Sequence, residues 1–203
     1  MATLRELKKR IRTVKFTALF ALFLLAACST YGFDGNRKGF VLGGGLGLSP
    51  YSKWSGYGTF GATQVVEHKN ENGAGPGLNF LIGHAWNEQN MIVFEINGAS
   101  WNSKELSDNP RVAQGTNGTV WYHYFGSPGR SVFSAAGLVF YRFTYWTTSR
   151  FNQNMGLGLI FGGGYEFARH WQIGGYLGTG HSYVVSSDWN YTHLNILVSA
   201  ILF

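Results

Sequence analysis

The chain has 203 residues, which suits one domain behind a short leader. Charged residues make up only 13% of it and aromatic residues 17%, and its 29 glycines are about twice the typical share of about 7%. Residues 1–27 hold six of the bases and one of the acids, so the remainder is nearly neutral and has no basic surface for nucleic acid.

A short apolar segment, Phe16–Ala27, follows the basic run Lys8–Lys15. The segment is too short to span a bilayer comfortably, and a positive flank before such a run is typical of a secretory signal peptide. At its end, Leu25-Ala26-Ala27-Cys28 resembles the bacterial lipobox. The resemblance implies that residues 1–27 are removed and that Cys28, the sole cysteine, is acylated. The alternative is an ordinary leader cut a few residues later, which leaves Cys28 in the discarded part or as a free thiol.

Residues 28–38 are polar and contain glycine, which predicts a tether. From Gly39 onward apolar residues alternate with polar ones or glycine, and no helical period is present. In the clearest run, Leu157 and Leu159 alternate with Gly156 and Gly158. Each run has roughly the ten residues that a tilted strand needs to cross a membrane. The eight runs are 39–48, 77–86, 91–101, 116–125, 131–142, 155–167, 170–179 and 192–203.

Short and long connections alternate between these runs, and aromatic residues gather at the run ends, as expected at two membrane interfaces. At the short-turn side they are Trp86, Phe125, Phe167, Trp171 and Phe203, and at the long-loop side Trp101, Tyr141, Tyr145, Trp146, Trp189 and Tyr191. The pattern predicts an all-β fold, an eight-stranded antiparallel up-and-down transmembrane β-barrel over residues 39–203. Closure would leave no unpaired strand edge in lipid.

The segment Gly156–Phe167 and the terminal Phe203 resemble the small eight-stranded outer-membrane barrels of Gram-negative bacteria, of the OmpX and OmpA type. The resemblance implies an integral outer-membrane location, with a lipid anchor at Cys28 as an addition that the usual members lack. It implies outer-membrane lipid and the barrel assembly machinery as partners, with Phe203 as the assembly signal.

An eight-stranded barrel has room inside only for side chains or one small ligand, so an open pore is not expected. Because a buried charge must be paired or solvated, Glu95 or Glu166 is expected to meet Arg142 or a histidine in a hydrogen-bonded plug. Inward glycines would make room for large neighbours or, alternatively, form a slot for a small ligand. The predicted polar lumen residues are Glu95, Asn97, His123 and Glu166, with Asn79, Asn117, Gln172 and Asn195 as further inward candidates.

Barrels that add or remove acyl chains on lipid A suggest an enzymatic alternative. Acyl transfer needs a nucleophile such as Ser, a His base and an acid that orients it. The deacylase barrels carry a His-x-Ser-Asn run, whereas His193-Leu194-Asn195 lacks the Ser, so we assign no catalytic residues. Residues of suitable types around the last loop are His181, Ser182, Ser186, Ser187, Asp188 and His193.

The six histidines are scattered without metal-ligand spacing, so neither a metal nor a cofactor is predicted. The sequence favours a non-enzymatic barrel with a role in envelope structure or in contact with an external ligand through its loops. A lipid A acyl hydrolase or acyltransferase and a small-ligand-binding barrel are the alternatives.

Overall fold

The computed structural model describes residues 36–60, 64–104, 106, 110–146, 151–184 and 187–203. The strands of this part are β1 Gly39–Phe60, β2 Gln64–Asn87, β3 Asn90–Asn102, β4 Arg111–Tyr124, β5 Ser131–Trp146, β6 Phe151–Ala168, β7 Trp171–Val184 and β8 Ser187–Leu202. Among the described residues, we find no helix whose length and hydropathy would let it span a membrane.

The strands form a closed barrel in chain order, in which each strand is antiparallel to its neighbours and β8 pairs back with β1. This confirms the predicted eight-stranded, all-β fold. The connections after β2, β4 and β6 lie at one end of the barrel together with Gly39 and Phe203. We call this the turn end and the opposite end the loop end.

The strands are longer than the sequence predicts, with 22 residues in β1 and 24 in β2. Much of the predicted long connection between them, 49–76, is paired strand, as in the pairs Lys53 with Asn72 and Trp54 with Glu71. Polar residues are compatible with strand here because backbone pairing requires no apolar side chain.

Side chains alternate between the interior and the exterior, and every second residue of β3 and of β4 is buried. The exterior carries a band of exposed apolar residues, which we call the belt. Its members include Leu46, Leu48, Leu78, Phe80, Ile92, Phe94, Ile96, Leu138, Phe140, Leu157, Leu159, Phe161, Ile173, Leu177, Ile196 and Val198. At the turn end, four aromatic residues predicted there lie exposed on the exterior: Trp86, Phe125, Phe167 and Trp171.

Five aromatic residues predicted at the exterior girdles lie instead inside the barrel. They are Trp101, Tyr141, Trp189, Tyr191 and Phe203, none of them more than 6% exposed. Phe203 is on the same face of its strand as the buried Ile201, and Trp101 is on the same face as the buried Ala99. The alternation therefore directs these rings inward, and the prediction of their exterior position was wrong.

Candidate functional site

The interior is closed at the turn end by an arginine that precedes the first strand. Arg37 is 1% exposed, and its Nη2 donates to Glu166 Oε2 at 3.0 Å and to the Gly126 carbonyl at 2.9 Å. Its Nη1 donates to the Glu88 carbonyl, and its guanidinium carbon lies 4.0 Å from the centre of the Tyr124 ring. The buried charges of Arg37 and Glu166 thus compensate each other, and the arginine ties the chain before β1 to two turns.

This ion pair differs from the predicted one in its basic partner. Arg142, expected inside, is exposed on the outer face because Tyr141 and Phe143 take the inward positions of β5. Arg37 falls within the segment 28–38 that the sequence predicts as a tether. Its side chain was missed because a single base in a polar segment has no distinguishing local pattern.

A second buried carboxylate lies nearer the middle of the barrel. Glu95 is 1% exposed and accepts hydrogen bonds from Tyr122 Oη at 2.5 Å, Asn97 Nδ2 at 2.9 Å and Asn79 Nδ2 at 3.3 Å. Asn195 Nδ2 donates to Asn97 Oδ1 at 2.6 Å, which carries the network across to β8. Neutral donors therefore satisfy this carboxylate, as the interior of a barrel requires of a buried polar group.

The loop half of the interior is filled with rings. Tyr141 Oη and His193 Nδ1 lie 2.7 Å apart, and both residues are fully buried. The Tyr141 ring stacks on Tyr191 at a centroid distance of 5.1 Å, and Trp54 packs against Trp189 at 5.5 Å. The whole aromatic cluster comprises Trp54, Trp101, Leu106, Val112, Tyr141, Phe143, Trp189 and Tyr191.

The interior glycines accommodate these rings. A Cβ built on Gly180 would lie 2.4 Å from Tyr141 Cβ, and one built on Gly73 would lie 2.2 Å from the Trp101 indole. The space that a side chain would need at these two positions is therefore already filled by aromatic neighbours, which leaves no slot for a ligand there.

The inward and outward positions of β4 are the reverse of those predicted. Tyr122 and Tyr124 point inward and are buried, so His123 and Asn117 lie on the outer face. His123 Nδ1 is 2.9 Å from Asn90 Oδ1, and its ring packs edge-on against Phe125. Of the four predicted lumen residues, the structure thus places Glu95, Asn97 and Glu166 inside and His123 outside.

Among the described residues considered for acyl transfer, Ser182 and His181 face opposite sides of their strand. Ser182 is buried and donates to the Met155 carbonyl at 2.7 Å, whereas the adjacent His181 points outward. His181 Nδ1 lies 3.6 Å from Asp188 Oδ1, and His193 lies inside the barrel. Because consecutive strand residues face opposite sides, Ser182 and His181 cannot act as a nucleophile and its base. Among the described residues, no three His, Cys, Asp or Glu side chains are grouped to hold a metal ion.

Several predicted residues cannot be placed. Cys28, the segment 1–27 and Ser186 lie outside the described residues, as do the side chains of Ser187, Tyr145 and Trp146. Acylation of Cys28 therefore stays a prediction.

At the loop end, a carboxylate holds the start of the β3–β4 connection against the barrel. Glu71 Oε2 accepts from Ser103 Oγ at 2.5 Å and from Trp54 Nε1 at 3.1 Å, and Glu71 Oε1 accepts from the Lys104 backbone N–H at 2.6 Å. Ser103 Oγ also accepts from the Leu106 backbone N–H at 3.2 Å. The buried Ser103 hydroxyl therefore joins the connection to β2.

Ser103→Ala removes two of these hydrogen bonds, and we expect it to cost about 1 kcal/mol locally. That corresponds to roughly fivefold more frequent local opening. Tryptic cleavage after Lys104 in the folded barrel should rise by the same factor. Ser127→Ala, at an exposed turn-end serine, is the matched control and should leave the rate unchanged. An unaltered rate in Ser103→Ala would show that the Ser103 hydroxyl does not hold this connection.

Comparison with known proteins gives likenesses of structure. No family model matches the sequence, and no curated protein matches it. Neisserial surface protein A is similar at 10% identity and a TM-score of 0.48, over 79% of this chain and 96% of that one. Outer membrane protein OprG from Pseudomonas aeruginosa has 10% identity and a TM-score of 0.48, over 83% and 98%. The attachment invasion locus protein Ail of Yersinia pestis has 10% identity and a TM-score of 0.42, over 82% and 99%. At such identity a likeness concerns the fold alone.

Proposed function

We propose that this protein is an outer-membrane β-barrel with a sealed interior, whose role is envelope structure or surface contact rather than transport or catalysis. The observation that carries the proposal is an apolar exterior around a barrel filled with side chains. Arg37 and Glu166 occupy its turn end, the Glu95 network its middle and the aromatic cluster its loop end. Small barrels of eight strands are filled in this way.

The belt supports the membrane location. Exposed apolar side chains such as Leu46 at 74% and Leu138 at 75% would be unfavourable in water as part of so large a contiguous surface. Trp86 and Trp171 lie at its turn-end border, the position that indole rings prefer at a membrane interface. Outer-membrane lipid and the barrel assembly machinery are the partners that this location implies, with Phe203 proposed as the assembly signal.

The loop end is the proposed contact surface. There β1 and β2 continue beyond the belt to Phe60 and Gln64, and Glu71 and the aromatic cluster brace them from inside. A braced projection is suited to holding an external ligand or neighbouring envelope component. An acyl group on Cys28 would add a second anchor at the opposite end, where the chain enters β1.

A liposome experiment tests the sealed barrel. The refolded protein should migrate differently on gels with and without heating, as stable barrels do. In liposomes, it should cause no release of a small dye entrapped inside them. An open porin in the same liposomes is the positive control, because wide barrels hold an aqueous channel. Dye release by heat-shifting protein would refute the sealed interior, and the absence of a heat shift would refute the membrane barrel.

A further inference from the structure

The outer wall has a groove across four neighbouring strands, β2 to β5. Strand register places Leu78, Gly98, Gly115 and Arg142 side by side in one row around the barrel. The two central members have no side chain, so a groove of about 300 Å³ remains between Leu78 and Arg142. Such a volume is at the lower limit of ordinary ligand sites.

The floor of the groove is fixed by backbone packing. A Cβ on Gly115 would lie 2.4 Å from the Asn97 carbonyl oxygen, and a Cβ on Gly98 would lie 3.0 Å from the Gln114 carbonyl oxygen. Ala113, the next outward residue of β4, adds only a methyl group. The outer surface is therefore recessed at these residues, whereas the belt residues of the neighbouring strands project large side chains.

The groove carries a cation at its loop end, Arg111, and another at its β5 side, Arg142. Arg111 Nε donates to Ser100 Oγ at 2.9 Å, which holds its side chain over the groove. Arg142 is exposed and also lines the groove. Neither arginine forms an ion pair with a carboxylate of the described residues. Two unpaired guanidinium groups beside an apolar floor favour an anion that carries an apolar chain.

One polar residue lies deeper in the groove. Asn117 stands between Ile96 and Phe140 in the next row toward the turn end, about 7 Å from the row of Arg142. Its Oδ1 is buried and has no hydrogen-bond partner among the described residues. The same amide also carries N–H donors. At this depth below the arginines, those donors suit the ester linkage between a head group and its acyl chain, whose oxygens accept.

We propose that the groove binds an anionic, phosphate-bearing lipid of the leaflet at the loop end. Its phosphate lies between Arg111 and Arg142, its linkage to the acyl chain passes over Gly98 and Gly115 to Asn117, and the acyl chain continues from there toward the turn end. The inference rests on the proposed membrane location. A second copy of the chain fits less well, because its belt would place apolar side chains against both arginines.

Native mass spectrometry of the full refolded chain in non-ionic detergent tests the proposal. The probes are phosphatidylglycerol and phosphatidylcholine with identical acyl chains. We expect the anionic lipid to bind at least about tenfold more tightly, since each arginine near a membrane surface attracts an anionic head group. Equal binding of the two lipids would overturn the proposal.

Two variants locate the site. Arg111→Gln/Arg142→Gln should weaken phosphatidylglycerol binding by about tenfold or more. The matched control Arg130→Gln/Arg169→Gln removes two exposed turn-end charges and should leave binding unchanged. Ala113→Phe should fill the groove and abolish binding, whereas Ala136→Phe, at an outward alanine of β5, should not. Unchanged lipid binding in both groove variants would overturn the inference. So would a result in which the groove variants dissociate a dimer and still bind lipid.

The heat shift separates this inference from the proposed function. If the groove variants retain the heat shift and bind lipid as the parent protein does, the lipid site is contradicted and the membrane barrel is not. A parent protein with no heat shift would contradict the membrane barrel itself.

Discussion

Arg37→Met is expected to destabilise the barrel by about 3–5 kcal/mol, because it leaves the Glu166 carboxylate buried without its cation. The substitution also leaves the carbonyl of Gly126 without a donor and removes the contact with the Tyr124 ring. Methionine is apolar and unbranched and fits the same interior space, so the charge is the main difference. Urea unfolding of the refolded protein in lipid bilayers, followed by tryptophan fluorescence, measures the loss.

Two further variants assign that loss to the ion pair. Arg37→Met/Glu166→Gln should recover much of the stability, because an uncompensated charge then no longer remains. Lys38→Met removes the neighbouring exposed base and should change stability by no more than about 0.5 kcal/mol. If Arg37→Met lay within that limit too, Arg37 would not hold the turn end closed.

The sequence predicts strand number and order well, because the period of two is a local property that each run displays by itself. It predicts less well which face points inward. In β4, Tyr122 and Tyr124 alternate with Thr119 and His123, and both sets are compatible with either face. The rule that apolar residues face lipid fails there, since tyrosines fill the lumen and donate to its polar groups, Tyr122 to the Glu95 carboxylate and Tyr124 to the Gln172 amide oxygen. Trp189 likewise lies inward, where it packs within the aromatic cluster.

Features that depend on barrel closure could not be predicted from the sequence. Arg37 and Glu166 are 129 positions apart and meet only because β1 and β6 belong to one closed sheet. The groove requires Gly98 to lie beside Gly115, which follows from the register of β3 and β4 and from no motif. Phe203 lies inward beside His170, at a ring distance of 6.1 Å, so its proposed recognition during assembly would precede this packing.

The second large effect concerns the glycine surface beneath Tyr141. Gly180→Ala is expected to destabilise the barrel by about 2–3 kcal/mol, because the new Cβ would lie 2.4 Å from Tyr141 Cβ. Tyr141 Cβ is attached directly to the backbone, so it can retreat only if β5 itself shifts. Any such shift would also disturb the contact of 2.7 Å between Tyr141 Oη and His193 Nδ1.

Two other glycines of the same strand make the test specific. Gly178→Ala places a Cβ 2.4 Å from His193 Cε1 and should also destabilise the barrel. Gly175→Ala, with nothing within 4 Å of its Cβ, is the control for the general effect of alanine in β7 and should be close to neutral. The same bilayer unfolding experiment compares all three. Equal stability of the Gly180→Ala and Gly175→Ala variants would mean that the loop half of the interior is loosely packed. Because space for a methyl group beside Tyr141 is also space that water could occupy, the sealed interior would then lose its main support.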